Sequence, residues 1–350
     1  MNLQETLARI PLFDETAART ARERQCQLTK PQGSLGRLED LSVQLAGTTG
    51  KPRPIFSRPV VIVVAADHGV VAQGVSAFPQ EVTKQMVLNF LQGGAAINVL
   101  ARHIGARVAV ADVGVAADLP SHPDLLAYKV ARGTRDFSVG PAMTRAEALQ
   151  AIEVGITLVN QEIDCGADII GTGEMGIGNT TASSAITAVI TKKAVAIVTG
   201  RGTGIEDAAL ARKIAVIERA LEVNRPDPTD PLGVLASVGG LEIGAMAGVI
   251  LGAVARRVPI VIDGFISGAA ALLAYELAPV IQPHLIAAHR SVEVGHRVIL
   301  DHLRLEPLFD LDLRLGEGTG ATLGMSLCVA ASKILTEMAT FGEAEVSERV

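Results

Sequence analysis

The sequence predicts an α/β fold in which a parallel sheet is flanked by helices, and two observations carry that prediction. Short runs of Val, Ile and Ala recur along the chain, and each closes on glycine or polar residues. Several of the stretches between them repeat their apolar residues at helical spacing. Strands that alternate with helices give a parallel sheet with right-handed crossovers. At 350 residues, 49% of them hydrophobic and 19% charged, the chain is long enough for a sizeable core.

The first fifty residues read as helical, with a turn at KPQGSLGR (30–37). Six apolar runs follow: VVIVVAADHG (60–69), RVAVADVGV (107–115), ADIIGTGEMG (167–176), AVAIVTGRG (194–202), VPIVIDGF (258–265) and HLIAAHRS (284–291). They are continuous rather than alternating, which suits strands buried on both faces. Residues 207–223 predict a helix with Leu210, Ile214, Ile217 and Leu221 on its apolar stripe and Lys213, Glu218 and Glu222 elsewhere. A last helix is expected from about Thr322 to Thr340. Packed with the N-terminal helices it would form a small helical domain, residues 1–50 plus 322–350, beside a large α/β domain over 51–321.

Composition excludes several classes. The 31 basic and 37 acidic residues leave a net charge of −6, and no Lys/Arg run is interleaved with stacking aromatics, so a nucleic-acid partner is not expected. Cys26, Cys165 and Cys328 are too far apart for a zinc knuckle and odd in number, so they are expected as buried, inert thiols. The apolar stretches Ile243–Ala255 and Pro259–Ile281 invite a membrane reading. The first is too short before Arg256, however, and the second carries Asp263 and Glu276. Their Ala and Gly content suits helices packed closely on a sheet. With no secretory signal at the N-terminus, a soluble, cytoplasmic protein without membrane insertion is expected.

In parallel sheets ligands bind beyond the carboxyl ends of the strands, which directs attention to the residues that close each run. Gly171–Ser184 follows a strand and opens a helix, so its glycines and free N–H groups could cradle a phosphate. It is a near miss to a P-loop, with Asn179 where the lysine should stand, which argues against a nucleoside triphosphatase. The same turn could be no more than a tight turn. Gly200–Gly204 is a second such turn, from which Lys213 could reach a phosphate or simply face solvent. Asp263, at a strand end, either orients a ribose hydroxyl or caps a helix. Ser291 is a plausible cap. His289 and His296, seven apart, would share a helix face, but no second ligand cluster accompanies them and no metal is expected. Glu317 lies among glycines just before a helix, either as a cap or as an acid that a ligand can approach.

Together KPQGSLGRLE, ADHGV, GEMGIGNTT, DGFISGAAAL and LRLGEGTGA resemble the nicotinate-nucleotide–dimethylbenzimidazole phosphoribosyltransferase family, from about Leu28 to past Ala321. The resemblance implies a Rossmann-like large domain, a small helical domain built from both chain ends, and a homodimer. It implies transfer of phosphoribose from nicotinate mononucleotide to dimethylbenzimidazole, giving the α-ribazole phosphate of cobalamin's lower ligand, with no cofactor. By the same resemblance the catalytic residues are Glu317, the base, and Glu174, which lies near the ribose and assists. Gly176, Asn179, Thr180, Gly202, Lys213, Asp263 and Ser291 are the expected phosphoribose contacts. Phe78, Gln85, Met86, Leu315 and Gly316 are the expected base contacts, and no role follows for Arg201.

Overall fold

The computed structural model of the chain describes residues 1–202 and 204–347. Its six strands are β1 (Pro59–Ala66), β2 (Arg107–Gly114), β3 (Leu125–Ala127), β4 (Ile169–Met175), β5 (Ile260–Ile262) and β6 (Leu285–Ala287). They form one sheet in the order β3-β2-β1-β4-β5-β6, and every pairing is parallel. One row crosses the sheet through Val108, Val61, Gly171, Val261 and Ile286. The chain winds outward from β1 to β3, then returns to build β4 to β6 on the other side. The switch between β1 and β4 opens a crevice at their carboxyl ends, the usual ligand position in such sheets.

β1 is buried over its whole length, as its unbroken Val/Ile/Ala run requires. Two expectations fail at strand level. The run 194–202 is not a strand: it carries a short helix, Val195–Val198, with Val195 and Val198 buried and Ile197 56% exposed. That burial follows a helical step of three, not a strand's alternation or continuity. Conversely, β3 is a three-residue edge strand, Leu125-Leu126-Ala127, whose apolar stretch is too short to mark a strand by itself.

On one face of the sheet helices Arg145–Asp164 and Leu241–Ala255 pack backbone to backbone. A side chain at Gly155 would strike the Ala245 carbonyl, and one at Gly248 the Ile152 carbonyl. This contact accounts for the small-residue content of 243–255. Among the described residues no helix is long and apolar enough to cross a membrane.

On the other face helix Thr319–Glu337 crosses the sheet, with Ala321 and the Met325 methyl each 3.2 Å from where a Gly171 side chain would begin. Its far end meets helices Glu15–Gln27 and Arg37–Thr49 through Ala18, Ala21, Val43, Ala46 and Leu335. Arg24 fastens that end by donating to the carbonyls of Leu335 (2.8 Å) and Met338 (3.1 Å). Residues 348–350 of the expected small domain lie outside the described residues. The thiols divide: Cys328 is buried under this helix, but Cys26 and Cys165 are exposed. Cys26 lies on an outward-facing position of a surface helix and Cys165 at a helix C-cap, positions that no tertiary contact covers.

Candidate active site

A cavity of about 300 Å³ opens at the carboxyl ends of the central strands, at the small end of the range for ligand pockets. β4 contributes Glu174 and Met175 and runs through Gly176-Ile177-Gly178 into helix Asn179–Thr191. The glycines here are fixed by packing as well as by approach. A side chain at Gly176 would meet the Ala66 carbonyl at 2.6 Å and one at Gly178 would meet Val71 at 2.6 Å, with φ at Gly178 already +96°. The helix start faces the cavity through Asn179 and Thr180, and its first N–H groups carry the positive end of the helix dipole.

Lys213 completes this end. Its side chain is 1% exposed and Nζ donates to Thr180 Oγ1 at 2.8 Å. The expected stripe therefore needs correction: helix Asp207–Asn224 buries Lys213, Ile217 and Ala220, while Leu210, Ile214 and Leu221 are only half-buried. Burial pushes the ammonium down to about 8, opposed by the charge of Glu293. Gly202 lies beside it, its absent side chain 2.9 Å from Thr180 Oγ1 and 3.5 Å from Lys213 Nζ. Gly176, Asn179, Thr180, Arg201, Gly202 and Lys213 enclose a recess at this end of the site. Arg201 is exposed and binds its own turn, donating to the Ile205 carbonyl at 2.9 Å and to Asp207. Thr203 lies outside the described residues.

Glu317 has left-handed backbone, φ +62°, between Gly316 at +85° and Gly318 at +91°. For a residue with a side chain this costs roughly 1–2 kcal/mol, and such strain gathers at functional sites. The turn is held from below, where the Glu317 carbonyl rests on Gly173 at 2.5 Å from a would-be Cβ. Its carboxylate accepts from the Ile97 N–H at 3.3 Å, in the first turn of helix Ala96–Ile104. Burial raises its pKa above the ordinary value, against that hydrogen bond and with help from the charge of Asp263. Between a helix terminus that lowers the pKa and a dry pocket that raises it, the pocket wins.

Glu174 is 5% exposed. Burial pushes it up to about 8, Glu242 and Asp263 adding repulsion, while hydrogen bonds from Asn179 and from the Glu317 backbone work the other way. Glu242 is itself paired with His68, 2.7 Å apart and both fully buried. Its contribution had no sequence signal, since it lies in the first turn of an apolar helix, where an acid is ordinarily read as complementing the helix dipole. Gly316 brings the two acids together, because a side chain there would strike Glu174 Oε1.

Asp263 caps a helix other than the one that follows it. Its oxygens accept from the N–H groups of Gly318 (3.2 Å) and Ala321 (2.8 Å), which holds the start of helix Thr319–Glu337. Burial pushes its carboxyl up to about 7. Ser291 also lines the cavity, but it is not a helix cap: its N–H donates to His296 Nδ1 at 2.9 Å, and Glu293 is the N-cap of helix Val294–Leu303. His289 precedes that helix and so does not share its face, though the two rings lie 6.1 Å apart. Burial lowers both imidazoles, His296 to about 3. No group of three or more metal-ligating side chains occurs among the described residues.

The opposite wall is apolar. Phe78, Val82, Met86, Met175, Ile177 and Phe265 line it, with Leu315 at the rim. Gln85 is not part of it: on helix Glu81–Leu91 the cavity takes Val82 and Met86, one turn apart, and Gln85 is exposed. Sequence reasoning missed Val82, Phe265, Glu293 and Arg314. Val82 was available from its i, i+4 spacing to Met86, and Phe265 from its place two residues past Asp263.

The phosphoribosyltransferase family profile matches residues 10–346. A protein named nicotinate-nucleotide–dimethylbenzimidazole phosphoribosyltransferase from Roseiflexus sp. (strain RS-1) is 68% identical over 348 residues, covering 99% of each chain. The protein of the same name from Chloroflexus aggregans (strain MD-66 / DSM 9485) is 67% identical over 99% of this chain and 98% of its own. The crystal structure of the Thermus thermophilus protein of that name superposes with a TM-score of 0.91 at 49% identity, over 96% of this chain and 100% of the other.

Proposed function

Because the chain belongs to the nicotinate-nucleotide–dimethylbenzimidazole phosphoribosyltransferase family, we propose that its cavity is where phosphoribose passes between two nitrogen heterocycles, with Glu317 as the general base. The activity is the family's: transfer of the phosphoribosyl group of nicotinate mononucleotide to dimethylbenzimidazole, in cobalamin synthesis. The observation that carries the assignment of Glu317 is its buried carboxylate, on strained backbone, facing an apolar slot at one side and a phosphate cradle at the other.

Nicotinate leaves readily because its ring nitrogen is cationic while bonded to ribose. Dimethylbenzimidazole attacks the anomeric carbon from the opposite face with one ring nitrogen, so the β-linkage becomes α without a covalent enzyme intermediate. The attacking ring would be left cationic unless its second nitrogen loses a proton. Glu317 takes that proton, and its raised pKa makes it a stronger base than a free carboxylate, a contribution of about 10²–10⁴ in rate. The apolar wall of Phe78, Val82 and Met86, with Leu315 at its rim, receives the ring, which leaves the N–H of the ring free to meet the acid. Helix Asn179–Thr191, Gly202 and Lys213 take the 5′-phosphate, and holding both reactants in register supplies much of the remaining rate.

Glu174 stays near the ribose with its proton on at neutral pH, and Asp263 acts at one remove by fixing the turn that carries Glu317. The division into a domain of residues 1–50 plus 322–350 and one of 51–321, a homodimeric assembly and a cytoplasmic location are part of the same reading. The direct test is to mix the protein with nicotinate mononucleotide and dimethylbenzimidazole and follow α-ribazole phosphate and nicotinate. Stoichiometric appearance of both supports the reading; binding of both substrates without product contradicts it.

A further inference from the structure

Four carboxylates line the cavity: Glu174, Asp263, Glu293 and Glu317. Three of them are engaged within the protein, Glu174 by Asn179, Asp263 by two helix N–H groups and Glu317 by Ile97. Glu293 is not. Its side chain is buried, the residue being 8% exposed, and makes no hydrogen bond among the described residues: Oε2 is sealed from solvent against Gly200, which leaves Oε1 as the oxygen that a ligand in the cavity can reach. A carboxylate without a donor is costly to bury, so its retention against a cavity points to a ligand that supplies the donors.

The position of Glu293 says which part of the ligand. Its carboxylate lies against Gly200, where any side chain would collide with it. Two residues further along the same turn, Gly202 lies beside Thr180 Oγ1 and Lys213 Nζ. The Cα atoms of Gly200 and Gly202 can be at most roughly 7 Å apart, so acid and ammonium flank one short turn. They form no ion pair within 4.0 Å among the described residues. A 5-phosphoribosyl group fits that arrangement, with its phosphate at the lysine and its two hydroxyl donors at the acid. Asp263, the sequence candidate for the ribose hydroxyl, already accepts two backbone N–H groups.

We propose that Glu293 accepts hydrogen bonds from the vicinal ribose hydroxyls of the donor nucleotide and makes the site selective for ribosyl over deoxyribosyl donors. This rests on the phosphoribosyl-transfer reading above and adds a specificity residue to it.

The experiment compares nicotinate mononucleotide with its 2′-deoxy and 3′-deoxy counterparts, in the wild type and in Glu293→Gln, Glu293→Ala and Glu293→Asp. The quantity read is the ratio of kcat/KM for the ribosyl donor to that for each deoxy donor, which does not depend on the fraction of protein that is folded. The wild type should penalise at least one deoxy donor roughly ten- to a hundredfold, the worth of a hydrogen bond to a charged group. In Glu293→Ala that penalty should shrink to about threefold or less, with Glu293→Gln and Glu293→Asp between the two. A wild type indifferent to both deoxy donors, or variants that keep the full penalty, would overturn the assignment. A wild type that makes no α-ribazole phosphate from the natural pair would instead sink the functional reading, before any variant is compared.

Discussion

At the scale of single residues, three consecutive left-handed positions hold Glu317 where it is, and two of them are glycine because nothing else fits. Gly316 is the sharper case. Alanine there adds the strain of φ +85° and a collision with Glu174 Oε1, so Gly316→Ala should separate the two acids and cut kcat while costing about 1 kcal/mol or more of stability. A kcat within twofold of wild type would contradict this. Lys213→Met keeps the buried stem and removes the charge, and should raise KM for nicotinate mononucleotide at least roughly tenfold, with KM for dimethylbenzimidazole little changed. How far these residues were legible differs. The glycines and Glu317 were visible in the spacing, but the backbone strain was not, since Glu has no intrinsic preference for it. Lys213 was misread as off the buried face, because a lysine counts as polar until its partner, Thr180 on another helix, is known.

Among the elements, helix Thr319–Glu337 joins the site to the fold. It is capped by Asp263 from a strand end 56 residues earlier in the sequence, packed on Gly171, and pinned at its far end by Arg24. Asp263→Ala should cost about 0.5–2 kcal/mol as a lost cap and should lower kcat as well, because the freed helix start carries Glu317. A stability loss with unchanged kcat would separate the two roles. The helix itself was legible from its periodicity. Its true start at Thr319 was not, since the cap comes from β5. The run 194–202 misled for a related reason: Val, Ile and Ala in a short stretch do not tell strand from helix until the exposure of Ile197 is seen. β3 is too short to leave any pattern.

At the scale of the whole molecule, the parallel sheet was legible but the strand order was not, because the switch between β1 and β4 depends on which side of the sheet each crossover returns to. The buried acids leave a signature in stability. Glu174 rises from an ordinary 4.5 to about 8 and Asp263 from 3.8 to about 7, so the folded state binds more protons than the unfolded chain in those windows and stability falls as pH rises through them. The buried histidines work in the opposite sense, but their contribution is largely complete by about pH 7.5, once the unfolded imidazole, near 6.5, has lost its proton. Lys213, lowered to about 8, stabilises with rising pH only above that value. Between about pH 7 and 8 the melting temperature should therefore drop, and Glu174→Gln should flatten the drop; an equally steep profile in that variant would contradict the role of burial. In the proposed mechanism catalysis turns on the proton that Glu317 removes. The most direct test is Glu317→Gln, measured for α-ribazole phosphate formation and, separately, for binding of nicotinate mononucleotide. The predicted result is a loss of about 10²–10⁴ in kcat with donor affinity retained; near-normal turnover in that variant would contradict it.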